Sequence, residues 1–271
     1  MLCIGLIACL PAWAESDDWL RVTRSASGEP LALEVAIGRF ERADGARVDL
    51  VGAVHVGEPA YYQDLNQRFN DYQRVLFELV GRPEALESPA AGSPSLIGLL
   101  QGGMKNALGL AFQLDEIDYS APHFVHADLD ADEFAASMRA RNESWLQLAV
   151  RAWALGLAEQ GSGEAARSNA ALLKVLLAED RERALKRALA EELADQGDSL
   201  TRLAGADGST LIEVRNGRAL EVLARELAAG HQRVAIFYGA GHMPDLARRL
   251  EQDLGFRRAR LEWISAWDLT R

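Results

Sequence analysis

Cysteine is nearly missing from this chain of 271 residues: there are two, Cys3 and Cys9, both at the amino end. Met1 to Leu10 is apolar, and Pro11-Ala12-Trp13-Ala14 reads as a small-residue cleavage site. Residues 1–14 are therefore expected to be a secretory signal peptide, although the positive residues that usually open one are lacking. The stretch is too short to span a bilayer. In a rival reading Leu6-Ile7-Ala8-Cys9 is a lipobox and Cys9 is lipidated; in a third the segment is an uncleaved apolar tail. A mature chain from Glu15 would be periplasmic or secreted and would hold no thiol. Disulfides, zinc–thiolate sites and cysteine nucleophiles are then excluded, and any metal must be held by His, Asp or Glu.

Basic excess is also lacking. Lys and Arg number 29 against 40 Asp and Glu, a net charge of −11. That argues against nucleic-acid binding, which needs a basic face to neutralise phosphate. No Gly-x-x-x-x-Gly-Lys-Ser/Thr occurs, nor any Gly-x-Ser-x-Gly. Phosphate-loop nucleotide hydrolysis and α/β-hydrolase chemistry are thereby disfavoured. There is no low-complexity tract.

One short unit does occur twice. Gly52-Ala53-Val54-His55 ends one apolar run, and Gly239-Ala240-Gly241-His242 ends another. Each histidine is followed by a helix-start signal, Glu58-Pro59 in the first case and Pro244-Asp245 in the second. The surrounding pattern predicts strands over Leu31–Phe40, Arg47–Val54, Arg74–Val80, Thr210–Val214, Arg233–Tyr238 and Arg257–Trp263, with a short one over His123–Ala127. Asp44-Gly45 marks a hairpin turn. Helices are expected over Pro59–Phe69 and Pro244–Leu254. Another should be capped by Asn216, with Leu220, Leu223 and Leu227 inward. From Asp130 to about Gln196 the pattern is helical with breaks. The expected fold is α/β: a mainly parallel sheet flanked by helices, one domain over 15–271, with a helical lobe inserted at about 94–200. Both histidines would then lie at the carboxyl edge of the sheet, where such folds place their sites.

Four residues carry the candidate chemistry. His55 and His242 suggest a metal or acid–base site, against the plainer reading that each caps the next helix. Glu78, inside Val75-Leu76-Phe77-Glu78-Leu79-Val80, is costly to bury unless paired or metal-bound; otherwise it turns to solvent at the strand end. Arg215, at a junction before Asn216, could pair with Glu78 or a substrate carboxylate, stabilise an oxyanion, or lie on the surface. Glu213 is a weaker ligand candidate. His126-x-Asp128 is a low-specificity metal hint, and His231 reads as solvated. Gly109 to Tyr119 reads either as a lid or pocket wall, or as a helix with an acidic exit.

Together, Gly52-x-x-His55, Tyr61-Tyr62, Leu65, Val75-Leu76-Phe77-Glu78, Arg215-Asn216 and Gly239-Ala240-Gly241-His242 resemble the TraB/PrgY/GumN family. That family is related to the Tiki proteases and, more distantly, to erythromycin-esterase and ChaN-like proteins. The resemblance covers roughly residues 45–82 and 208–267. It implies a metal-dependent, peptidase-like hydrolase using manganese, cobalt or zinc. His55, Glu78 and His242 would be the metal ligands; Glu78, Arg215 and His55 would be the catalytic set, on a peptide or small-molecule substrate. A metal-free reading makes His55 the base. The ChaN-like relatives imply an alternative, a periplasmic ligand- or haem-binding protein without turnover, with Tyr61, Tyr62, His123 or His126 as axial candidates. A third reading is a degenerate scaffold.

Overall fold

The computed structural model describes residues 18–81, 108–141, 143, 175, 178–204 and 210–271. The expected leader, Cys9 and most of the expected inserted lobe lie outside these residues. In chain order the strands are β1 (Leu20–Arg24), β2 (Pro30–Glu41), β3 (Arg47–Ala53), β4 (Val56–Gly57), β5 (Arg74–Phe77), β6 (Ala111–Phe112), β7 (Phe124–His126), β8 (Arg233–Gly239) and β9 (Arg257–Asp268). The helices are α1 (Pro59–Phe69), α2 (Gln113–Glu116), α3 (Ala131–Ala140), α4 (Arg181–Ala204), α5 (Arg215–Ala228) and α6 (Met243–Gln252).

The fold is α/β, as the patterning predicts. Seven strands form one sheet in the order β1-β2-β3-β8-β5-β7, with β9 also paired to β2; β4 and β6 make a separate small ribbon. The pairings β3–β8, β8–β5 and β5–β7 are parallel. Those of β2 with β1, β3 and β9 are antiparallel. The sheet is thus a parallel half joined to an antiparallel half at β3. The hairpin between them turns at Asp44-Gly45, where Gly45 takes φ +90° and Asp44 Oδ1 accepts the Ala46 amide at 3.2 Å.

Alternation explains why the central strands read as unbroken apolar runs. Val51 of β3, Phe77 of β5 and Phe237 of β8 pack on one face, against Tyr61, Leu65 and Phe69 of α1. Leu50, Leu76 and Ile236 point to the other, against Val222 and Leu223 of α5 and Leu246 and Leu250 of α6. Both faces are covered, so after the arginine that opens each of β3, β5 and β8 the positions are apolar. Asp49 of β3 is the exception. It is 1% exposed and satisfied by Arg47 at 2.7 Å and by the Tyr72 hydroxyl at 2.8 Å, with Arg39 beside it.

Three sequence expectations are corrected. Thr210–Val214 is no strand but a wide helical turn of π type, running directly into α5. Its Leu211 and Val214 pack against α3, in a cluster with Phe134 and Met138, rather than in the sheet. Asn216 does not cap α5: the cap is Val214, and Asn216 sits fully buried in the first turn with its amide aimed at another element. The expected strand to Val80 ends at Phe77, which leaves Glu78 just beyond it. Within the span expected to be an inserted lobe, β7 joins the central sheet.

Candidate active site

Four parallel strands end at the same edge, and each delivers a polar residue just past its last pair. β3 leads to His55, β5 to Glu78, β7 to Asp128 and β8 to the short turn Ala240–His242. Arg215 enters from the first turn of α5. The order of strands, not nearness in sequence, brings these groups together.

Arg215 is the hub. Its Nη2 donates to Glu78 Oε1 at 2.6 Å and to Asp128 Oδ2 at 2.6 Å, and its Nε donates to Asp128 Oδ1 at 2.9 Å. The Asp128 side chain is wholly buried, and those of Glu78 and Arg215 are 10% and 9% exposed. The second Glu78 oxygen accepts the Gly239 amide at 2.6 Å. Burial alone would raise the Glu78 pKa, but His242, Arg215, His55 and that amide together hold it down at about 2, so the carboxylate is ionised. Burial alone would lower the Arg215 pKa, but the hydrogen bonds and charges of Asp128 and Glu78 raise it above its ordinary value. A π-type turn just before Arg215 fits the tendency of such turns to mark functional positions.

The two histidines differ. His242 is 6% exposed, and burial lowers its pKa; Arg215 also lowers it, against the opposing pull of Glu78. The Asn216 amide nitrogen donates to Asp245 Oδ2 at 2.9 Å and to the His242 carbonyl at 3.2 Å. Asn216 Oδ1 must then accept from His242 Nδ1, at 2.7 Å. Nε2 is left with the lone pair, 3.6 Å from Glu78 Oε1 and 3.4 Å from Arg215 Nη1. His55 is exposed at the mouth. Its Nδ1 lies 3.2 Å from Gln113 Oε1, while the Gln113 amide nitrogen donates to the Tyr119 hydroxyl at 2.8 Å. In this arrangement His55 Nε2 also faces the site. Each histidine thus has its outer nitrogen tied to an amide oxygen and its inner one turned towards Glu78.

The cavity over this cluster has a volume of about 290 Å³ and is bounded by His55, Glu78, Arg215 and His242. The donor chemistry suits a divalent cation. Two imidazole lone pairs face inward with their outer nitrogens fixed, as in metal-bound histidines. Glu78 and Asp128 outnumber the one guanidinium, leaving a net negative charge. Among the described residues, however, no three His, Cys, Asp or Glu side chains already converge on one point. Arg215 is the cation in place beside Glu78.

Some candidates lie elsewhere. Glu213 falls in the π-type turn before Arg215. His126 Nε2 bonds the Leu79 carbonyl at 2.7 Å, so the His126-x-Asp128 pair is no ligand couple. His231 pairs with Glu226 at 2.9 Å rather than standing free in solvent. Tyr61 and Tyr62 are buried and give their hydroxyls to the Gly52 and Val54 carbonyls, which removes both as axial haem ligands. The sequence offers Asp128 only as half of that metal hint, Asn216 only as a helix cap beside Arg215, and Gln113 only within the Gly109–Tyr119 stretch; their roles as partners of Arg215, His242 and His55 come from the fold. Gln113 had a faint signal, a glutamine inside an apolar stretch; it is 4% exposed.

No protein-family model matches the chain, and no curated protein and no solved structure matches it. The site's geometry therefore carries the functional argument.

Proposed function

We propose that this chain is an exported hydrolase of the TraB/PrgY/GumN kind, peptidase-like, cleaving an amide or ester carbonyl. The observation that carries this reading is the pairing of one exposed and one buried imidazole around an ionised, Arg-anchored glutamate at a cavity floor. His55 is the accessible group and takes the proton from water through Nε2. Glu78 stays ionised and draws positive charge towards that proton. His242, held by Asn216, is the inner wall against which water and substrate are placed. Arg215, its Nη2 and Nε committed to Glu78 and Asp128, holds Glu78 in place and assists a developing oxyanion through its nearby charge rather than through a free N–H.

In the alternative metal-dependent form, His55, Glu78 and His242 are the residues that would hold manganese, cobalt or zinc, and His55 would then be a ligand rather than the base. Such an ion would lower the pKa of a bound water and polarise a carbonyl. The test is cleavage of a mixed peptide and ester library by the purified protein, with and without each metal, alongside His55→Ala and His242→Ala. The expected result is hydrolysis that both substitutions abolish. An intact fold with no cleavage under any metal would reject the reading.

A further inference from the structure

The cavity floor is polar, but its walls are not. Leu20 of β1, Leu193 of α4 and Leu211 and Ile212 of the π-type turn close around it, with Val54 and Ala240 nearer the floor. They come from separate parts of the chain, so the apolar lining is not a by-product of one amphipathic element. The charged groups on the floor have partners already. Both Glu78 oxygens are bonded, and Arg215 is shared between Glu78 and Asp128. Among the described residues lining the cavity, no unpaired charge is left for a charged substrate group to meet.

We infer that this cavity selects an uncharged, bulky apolar side chain or acyl group beside the scissile carbonyl, with Leu193, Leu211 and Ile212 as specificity-determining residues. This rests on the hydrolase reading above. The physical argument has three parts. Burying an unpaired carboxylate or ammonium against leucine walls is heavily penalised. The floor carries a net negative charge, which further repels a carboxylate. A volume of about 290 Å³ lies at the small end of ligand pockets, so it suits one side chain or a short acyl chain rather than a folded segment.

The test uses two blocked tripeptides, acetyl-Ala-Leu-Ala-amide and acetyl-Ala-Glu-Ala-amide, which differ only in the central side chain. They are compared as substrates and, by calorimetric titration, as ligands. The proteins are the wild type, Leu211→Asp and Leu193→Asp, with circular dichroism checking that each variant folds. Leu193 is the second site because it lies part-exposed on a different element. The expected result is a preference of about tenfold or more in kcat/KM for the leucine peptide, reduced or lost in whichever variant folds. Cleavage with equal or greater preference for the glutamate peptide would overturn the inference and leave the hydrolase reading standing. If neither peptide is cleaved, the titration decides. Tighter binding of the leucine peptide, weakened by the aspartates, supports the apolar pocket without turnover; equal or absent binding overturns it.

Discussion

Arg215 holds two buried carboxylates that, among the described residues, have no other full charge partner at comparable distance. Removing it would strand both. Arg215→Ala should therefore cost about 3–5 kcal/mol of stability, the usual range for breaking a buried pair. Arg215→Lys should recover only part, because an ammonium cannot reproduce the fork to Asp128 and Glu78 together. Urea unfolding of the two variants checks this, and a loss under 1 kcal/mol in the alanine variant would mean the cluster is not held by charge. A second test concerns Asp245. Burial opposes ionisation, but hydrogen bonds from Asn216, Arg248 and Arg249 lower its pKa below the ordinary 3.8. A depressed folded pKa stabilises the protein above the unfolded value and is lost as pH falls through the folded one. Acid unfolding below about pH 4 should thus be shallower in Asp245→Asn than in the wild type. Equal slopes would mean Asp245 is not linked to folding.

At the scale of elements, the two Gly-x-x-His units share a pattern but use their first glycines differently. A Cβ at Gly52 would lie 2.9 Å from Val35 Cγ1 and 3.1 Å from the Ala36 carbonyl, inside the sheet. Gly52→Ala should destabilise by about 1–3 kcal/mol, as overpacking does. At Gly239 φ is −51°, and a Cβ would lie at ordinary contact, 3.4 Å from Glu78 Oε2 and 3.5 Å from His55 Nε2. Gly239→Ala should keep its melting temperature yet lose activity by tenfold to about a hundredfold, because a methyl group takes the space between base and carboxylate. A variant of normal activity would place the reacting water elsewhere.

These elements also show what could be read from sequence. β3, β5, β8 and α1 announce themselves, since two-sided burial demands unbroken apolar runs and Pro59 starts a helix. His55, Glu78, Arg215 and His242 stood out for their place at strand and helix ends. Thr210–Val214 deceived because β-branched residues fit a buried turn as well as a strand. The roles of Asp128, Gln113 and Asn216 were hidden for a different reason. A buried carboxylate or amide is recognised only by its partner, and theirs lie across the fold.

In the whole molecule, α4 is fastened by charge to the start of α1. Lys186, with its side chain 7% exposed, donates to Glu58 Oε1 at 2.6 Å, and Glu58 also accepts the Asp268 amide at 3.0 Å. Lys186→Ala should cost about 3 kcal/mol, the low end for a broken buried pair because Arg271 still flanks Glu58. Thermal melts of the variant and of Lys186→Ala with Glu58→Gln would show it; the double variant should recover part of the loss. Since α4 also carries Leu193, loosening it should blunt side-chain preference before it slows cleavage.

The hub at Arg215 has a kinetic consequence as well. Glu78 is 137 positions from Arg215, and Asp128 is 87. Neither carboxylate can shed its water until the guanidinium arrives, and it arrives only when the strands between them are in register. Such distant closure is slow and comes late. Regain of catalysis on refolding should therefore lag behind regain of helical signal, making turnover a reporter for the last step of assembly.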